Sequence, residues 1–122
     1  MSNMINWFEI PVTDIDRAVD FYSKVLGTEL PREKMMNIEM AFLPIGEGDV
    51  SGALCLGEGY KPSTDGVMIY LNGGEDLEKP LSKVESAGGQ VIMPKTKISD
   101  ETGYMAVFID PEGNRIAFHS YK

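Results

Sequence analysis

The sequence predicts an α+β domain built from two copies of one strand–helix–strand–strand–strand unit, with eight strands in all. The first observation is that residues 5–27 read as a strand followed by an amphipathic helix, whose apolar side chains recur at helical spacing. The second is that this pattern returns once, at an offset of 59 (82 − 23), when Ser-Lys-Val at 23–25 is laid over Ser-Lys-Val at 82–84. In that alignment the apolar strand residues Phe8, Ile10 and Val12 fall on Val67, Ile69 and Leu71.

The first unit begins with a strand over residues 5–12, in which alternation places Trp7 and Glu9 on the face opposite the side chains that a helix would cover. Thr13-Asp14 starts the helix, and Gly27 stands where a helix C-cap belongs. Three strands follow. We expect an edge strand at 28–31, a charged turn at 32–34, a strand at 36–44, a Gly-rich turn at 45–49 and a strand at 50–56.

The second unit repeats this order after a polar join at 57–66 that is rich in Gly, Pro and Ser. Its helix should begin near Asp76, because Pro80 is tolerated only in the first helical turn, and should end at Gly88-Gly89. Its strands are predicted at 67–71, 90–93, 103–109 and 114–121. We therefore expect a single domain over 1–122, with module one at about 1–57 and module two at about 67–122.

Composition excludes several classes of partner. The net charge of −8 and a pI near 4.5 would repel a nucleic-acid backbone or an anionic membrane surface. The sequence has no apolar run of the roughly 18 residues that span a bilayer and no signal-peptide pattern, so we expect a cytoplasmic protein. The single cysteine, Cys55, lacks a redox partner and a neighbouring cation in sequence, and we interpret it as a buried, unreactive thiol.

Three segments of the chain form a recognisable combination: Ile-Pro-Val-Thr-Asp-Ile-Asp-Arg-Ala-Val-Asp-Phe-Tyr at 10–22 with Val-Leu-Gly at 25–27, Ala-Gly-Gly at 87–89, and Phe-Ile-Asp-Pro-Glu-Gly-Asn at 108–114. Together they resemble the vicinal oxygen chelate superfamily, which includes glyoxalase I, bleomycin-resistance proteins and extradiol dioxygenases. The resemblance implies two βαβββ modules that form a curved eight-stranded mixed sheet around a cavity, with helices on the outer face. It also implies a homodimer.

The resemblance implies metal-ligand positions on the first and last strands of each module, usually occupied by His or Glu. In this sequence they fall on Trp7, on Gly66 or Val67, on about Ala53 and on Ala117. None of these side chains binds a divalent ion, since such sites need imidazole or carboxylate donors. We therefore expect no metal and no cofactor.

The same resemblance implies that the face of each sheet that no helix covers lines the cavity. Glu9 and His119, the only histidine, are predicted to lie on facing walls and either to contact or exchange a proton with a polar ligand, or to form ordinary buried hydrogen bonds. Trp7 would stack on an aromatic ligand or simply fill space. The predicted lining residues are Trp7, Glu9, Met68, Tyr70, Arg115, Ala117 and His119.

The sequence leaves three alternative hypotheses for the function. The missing metal ligands favour a protein that binds a small organic molecule in a largely apolar cavity. An enzyme, a lyase or isomerase related to lactoylglutathione lyase with Glu9 or His119 as acid or base, is the second hypothesis. A regulatory domain that acts through its dimer surface is the third. Because one fold supports many activities, the sequence does not identify the ligand.

Overall fold

The computed structural model of the protein describes residues 3–122. Each half of the chain contributes one strand, one helix and three further strands, so the predicted α+β class and both βαβββ modules are confirmed. The elements are β1 (Phe8–Pro11), α1 (Ile15–Leu26), β2 (Arg32–Met35), β3 (Ile38–Phe42), β4 (Gly52–Leu56), β5 (Tyr70–Asn72), α2 (Glu78–Leu81), β6 (Gln90–Ser99), β7 (Gly103–Ile109) and β8 (Arg115–Ser120).

The eight strands form two hydrogen-bonded sheets of four, in the orders β1-β4-β3-β2 and β5-β8-β7-β6. In each sheet the first and last strands of the module pair in parallel, and the remaining pairs are antiparallel. The eight strands expected for one curved sheet are thus divided between two open sheets. The strands β1 and β5 are edges, because each is hydrogen-bonded to one neighbour only.

The strand register gives the true correspondence between the modules. Glu9 is opposite Ala53 in the first sheet, and Tyr70 is opposite Ala117 in the second. Glu9 therefore corresponds to Tyr70, at an offset of 61 (70 − 9), and the offset of 59 predicted from the helices is wrong for the strands. Since side chains alternate with a period of two, this shift of two residues leaves every predicted face unchanged.

Helix α1 has a complete set of local signals. The Asp14 carboxylate accepts a hydrogen bond from the Arg17 backbone N–H at 3.0 Å, which caps the N-terminus. Gly27 ends the helix in the left-handed conformation (φ 70°), and its N–H donates to the Ser23 carbonyl. Its buried face consists of Ile15, Ala18, Phe21, Tyr22 and Val25.

Two predictions around β2 were wrong. The segment 28–31 is not a strand, and the charged residues 32–34, predicted as a turn, lie within β2. The turn falls instead at Met36 and Asn37, which both have positive φ (53° and 67°), the backbone that a two-residue hairpin turn requires. Every residue of β2 is exposed, so its sequence carries no apolar alternation that would mark a strand.

The second module departs from its predicted bounds in three places, the first being β5, which spans Tyr70–Asn72 rather than 67–71. Helix α2 is a single turn, Glu78–Leu81, that begins two residues after Asp76; Pro80 is within that turn, where its missing N–H is not needed. Strand β6 continues past 93 to Ser99. It tolerates Pro94 because it is an edge strand, paired only with β7 and interrupted by three register shifts.

One apolar core joins the two modules. The ring of Phe21 on α1 lies 5.8 Å from Phe108 on β7, and Phe108 lies 5.1 Å from Phe118 on β8. A Cβ atom at Gly89 would stand 2.8 Å from the Phe21 ring, so only glycine permits this approach. Each sheet therefore has a covered face turned to the shared core and an open face turned away from it.

Polar contacts between the β7–β8 turn and the start of α1 reinforce this core. The buried Glu112 carboxylate accepts the backbone N–H groups of Thr13 (2.6 Å) and Asp14 (2.8 Å) and pairs with the Arg17 guanidinium at 2.5 Å. Burial would raise the pKa of Glu112, but Arg17 and these backbone donors outweigh it and lower that pKa.

In the part of the chain that the structure describes, no helix is long and apolar enough to span a membrane.

Candidate functional site

The open face of the first sheet is largely apolar and carries carboxylates on its two edge strands, Glu9 on β1 and Glu33 on β2. Strand register also brings Ala53 and Cys55 of β4 and Phe42 of β3 to this face, and Trp7 lies just before β1. The rings of Trp7 and Phe42 lie 6.2 Å apart, and 44% of the Trp7 surface remains exposed. Ala53 is fully buried between Glu9 and Phe42, so neighbouring side chains cover its methyl group.

Glu9 belongs to a cluster that the sequence did not predict. The Tyr60 hydroxyl, from the join between modules, donates to the Glu9 carboxylate at 2.6 Å. This bond is the main reason that the pKa of Tyr60 is raised to about 12, while burial and then the Glu9 charge raise the pKa of Cys55 to about 12. Both groups are therefore neutral near pH 7, and Cys55 is not a nucleophile in this state. Its predicted burial is confirmed, and its low reactivity stays a prediction.

The open face of the second sheet carries the equivalent positions with different side chains. Register places Tyr70 beside Ala117, Asn72 beside His119, and Arg115 beside Ile109. Ala117 is fully buried, like Ala53 in the first sheet. Arg115 and Tyr70 are exposed, with 49% of the Tyr70 surface accessible. The tyrosine ring and the arginine side chain are thus available to a ligand.

His119 has one occupied nitrogen and one available nitrogen. Its Nε2 lies 2.5 Å from the Thr102 carbonyl oxygen, which is only an acceptor, so Nε2 must carry the hydrogen. Its ring meets Tyr121 edge-on at 4.7 Å. In the neutral ring Nδ1 is then an acceptor, so the geometry suits a ligand that donates a hydrogen bond.

Two surface cavities border this face. A cavity of about 1190 Å³ lies beside strands β1 and β5 and includes Met68 and Tyr70. A second, of about 720 Å³, includes Tyr70, Asn72, Met105, His119 and Tyr121. Tyr70, Leu71, Asn72 and Gly74 border both cavities. Volumes of this order suit drug-sized molecules.

The structure brings some predicted site residues together and separates others. Met68 and Tyr70 share the larger cavity, and Tyr70 and His119 share the smaller one. Trp7, Glu9, Arg115 and Ala117 border neither. Within one chain Glu9 and His119 lie on different sheets, so the predicted cavity between them needs a further surface. Sequence reasoning missed Tyr60 and Phe42, although period-two alternation along β3 marks Phe42.

The family's metal does not fit this chain. By strand register the counterpart of Trp7 is Met68 rather than Gly66 or Val67, and the last-strand positions hold Ala53 and Ala117. An indole, a thioether and two methyl groups supply no hard donor to a divalent cation. Among residues 3–122, no group of three or more His, Cys, Asp or Glu side chains is placed to hold an ion.

The fold agrees with the comparisons to known proteins. The sequence model of the Glyoxalase/Bleomycin resistance protein/Dioxygenase superfamily matches residues 4–118, and the chain belongs to that superfamily. A probable lactoylglutathione lyase from Synechocystis sp. is 25% identical over 114 residues, which cover 88% of this chain and 87% of that protein.

Solved structures give the same fold. TnmS3, an antibiotic binding protein from Streptomyces sp. CB03234, superposes with a TM-score of 0.73 at 24% identity, and the match covers 98% of both chains. Glyoxalase I from Zea mays gives a TM-score of 0.64 at 22% identity over 94% of this chain and 45% of that chain. The present chain therefore spans less than half of the maize chain.

Proposed function

We propose that the protein binds a small organic molecule on the open faces of its sheets without using a metal ion. The observation that carries the proposal is the side-chain set at the family's metal positions, Trp7, Ala53, Met68 and Ala117. These residues replace charged or imidazole donors with an apolar surface. Aromatic and thioether side chains around them suit a flat, apolar ligand. The likeness to an antibiotic binding protein supports a binding role through the fold alone.

We also propose that the complete site forms between two copies of the chain. The strands β1 and β5 are unpaired edges, and exposed apolar side chains lie beside them: Met4, Ile5, Trp7, Val67 and Tyr70. The two open faces are also complementary in charge. The first carries Glu9 and Glu33, and the second carries Arg115 and His119. If the first face of one copy meets the second face of its partner, Glu9 and His119 line one cavity.

Metal content and ligand binding test the proposal directly. Elemental analysis of the purified, dialysed protein should find no stoichiometric zinc, nickel, iron or manganese. The neutral probe 2-naphthalenemethanol should raise the Tm, because a ligand that binds only the folded state stabilises it. The shift should be reduced in Tyr70→Ala and kept in Met36→Ala, where Met36 is an exposed residue at the β2–β3 turn. One equivalent of metal at the open faces, or no shift with the wild-type protein, would contradict the proposal.

Glu9 and His119 should contribute to a polar ligand's affinity. If a bound ligand engages them, Glu9→Gln or His119→Ala weakens binding by about 1–3 kcal/mol, the cost of leaving a buried partner unsatisfied. Calorimetric titration measures this difference, and the fold should survive because neither side chain belongs to the core. Unchanged affinity in both variants would remove these residues from the site.

The oligomeric state tests the shared cavity. Light scattering at tens of micromolar should give the mass of a homodimer. Val67→Asp should shift the mass toward the monomer, because Val67 is 91% exposed beside the β5 edge and a charge there would be desolvated in the interface. Met36→Asp is the matched control, since Met36 is 87% exposed at a hairpin turn away from both edges. A wild-type monomer would refute the two-copy site.

A lyase of the lactoylglutathione type is the second candidate, because a relative carries that name. In this case Glu9 or His119 would act as the acid or base. Assays for lactoylglutathione lyase activity with and without added zinc or nickel distinguish the two candidates. Activity that is lost in Glu9→Gln or His119→Ala would favour the enzyme, and no activity under either condition would favour the binding protein.

A further inference from the structure

We infer that the open face of the first sheet selects ligands in which a flat aromatic ring carries a protonated amine, with Glu9 as the counter-charge. This inference rests on the proposed binding function and names the ligand class that this half of the site prefers. It is carried by the charge of the face, by the hydrogen bonding of Glu9, and by the exposed aromatic side chains beside it.

The strand positions on this face contain carboxylates but no basic side chain. Glu9 lies on β1, and Glu33 lies on the edge strand β2 opposite Met40. The basic residues of β2, Arg32 and Lys34, alternate to the other face, where Arg32 pairs with Asp16 of α1 at 2.7 Å. A cationic group approaching the open face of one chain therefore meets a negative potential without a competing cation from that chain's own strands.

The Glu9 charge remains uncompensated although the side chain is held in place. Tyr60 donates one hydrogen bond to it at 2.6 Å, and a neutral phenol fixes an oxygen without cancelling the charge. Among the ion pairs of residues 3–122, none includes Glu9. An ammonium group would supply both the missing charge and further donors. Tyr60 acts as a positioning residue for this carboxylate.

The aromatic part of the ligand has a defined place beside the carboxylate. Trp7 immediately precedes β1 and is two residues from Glu9, so extended backbone puts their Cα atoms about 6.6 Å apart. The exposed part of its indole, next to Phe42, offers a surface for stacking and for cation–π contact. A one- or two-ring aromatic with an amine one carbon away spans this distance.

The second sheet does not offer the same recognition. At the position equivalent to Glu9 it carries Tyr70, and its charged or titratable side chains on the open face are Arg115 and His119. The Arg115 charge repels an ammonium ion, and the neutral His119 ring offers an acceptor nitrogen but no negative charge. The amine preference is therefore assigned to the first sheet alone.

Three matched probes with one ring system test this assignment. They are 2-naphthylmethylamine, protonated at pH 7, neutral 2-naphthalenemethanol and anionic 2-naphthoate. Calorimetric titration at low salt should give the amine an affinity on the order of tenfold above the alcohol, as expected for a charge-assisted hydrogen bond, with 2-naphthoate the weakest. The preference should disappear in Glu9→Gln and persist in Glu33→Gln, the control carboxylate on the same face. Trp7 is the only tryptophan, so its single indole N–H signal in an NMR spectrum locates the bound probe.

The possible outcomes distinguish a failure of the amine preference from a failure of the proposed binding function on which it rests. Equal affinity for amine and alcohol would overturn the amine preference and leave ligand binding intact. A preference that survives in Glu9→Gln, or a bound amine that leaves the Trp7 signal unmoved, would overturn the assignment to this face. If none of the three probes binds, both the inference and the proposed function fail.

Discussion

The two open faces share one scaffold and differ in chemistry. Strand pairing makes Glu9 equivalent to Tyr70, and it makes Cys55, opposite Pro11, equivalent to His119, opposite Asn72. The first face has carboxylates and the second has an arginine and a histidine. Only the buried alanines, Ala53 and Ala117, are the same.

The covered faces, in contrast, carry the same kind of residue in both modules. Leu54 and Phe118 occupy equivalent positions, and both are fully buried in the shared core. A core position must be apolar and of suitable size, whereas an open-face position contributes little to folding. The duplication therefore preserves the fold on one side of each sheet and leaves the other side free to acquire separate recognition chemistry.

Substitutions at equivalent covered positions should produce the largest effects. We expect Phe118→Ala to cost about 3–5 kcal/mol and Leu54→Ala about 2–5 kcal/mol of unfolding free energy, since each leaves a cavity in the common core. Urea denaturation measures both. The open-face neighbour His119→Ala should cost about 1 kcal/mol, the value of its hydrogen bond to Thr102. A neutral effect at either covered position would break the equivalence of the two modules.

Glu112 of the second module contacts the start of α1 in the first module, and Glu112→Gln should show how much this contact stabilises the fold. At pH 7 the variant should lose about 1–3 kcal/mol, because a charge-assisted partner of Thr13, Asp14 and Arg17 is removed. The native pKa of Glu112 is lowered, so its stabilisation is complete above the ordinary value of 4.5 and is lost as pH falls through the native pKa. The difference between variant and wild type should therefore shrink on acidification.

Asp110 does not obscure this measurement. Burial raises the pKa of Asp110, so its effect on stability depends on pH in the opposite way. The stability that Asp110 contributes is present below the ordinary pKa of 3.8 and is lost as pH rises through the raised pKa. Because both proteins contain Asp110, it largely cancels in the difference. Glu75→Gln, at an exposed carboxylate before α2, is the control and should change little at any pH. A pH-independent loss in Glu112→Gln would mean that packing rather than charge explains it.

The smallest expected effect concerns Cys55. Its raised pKa, due first to burial and then to Glu9, should make alkylation by iodoacetamide slow at pH 8. Glu9→Gln removes the neighbouring charge, lowers the thiol pKa and should increase the alkylation rate a few-fold. Glu33→Gln should leave the rate unchanged. An equal rate in the Glu9 variant would show that burial alone protects the thiol.

Local signals predicted much of the fold. Helix α1 was predicted correctly because Asp14, Gly27 and the apolar stripe all agree, and β7 was predicted with its observed bounds, Gly103–Ile109. The predicted faces of β1 are correct although the repeat offset was wrong by two residues, because a shift by an even number of residues leaves each side chain on the same face. Strand β2 escaped prediction because both its faces meet solvent. Helix α2 was overextended because residues 82–88 continue as turns, with bonds such as Val84 N–H to the Leu81 carbonyl, rather than as regular α-helix.

The candidate site was less predictable because it depends on distant contacts. Alternation correctly placed Glu9 and His119 on open faces, but it contains no information on how two sheets face each other. The contact between Glu9 and Tyr60 joins residues 51 positions apart, through a segment without regular structure. Only the folded path of that segment brings the phenol to the carboxylate.

The parallel pairing of each module's first and last strands also determines when the chain can fold during synthesis. β1 can pair once β4 emerges from the ribosome. β5 can pair only when β8 emerges, some 60 residues after β4. At typical elongation rates this interval lasts roughly 3–12 s. During it, the nascent first module exposes Phe21, whose partner Phe108 has not been made, and the start of α1 lacks Glu112. The half-made protein therefore exposes apolar surface and unpaired backbone donors that the finished domain buries.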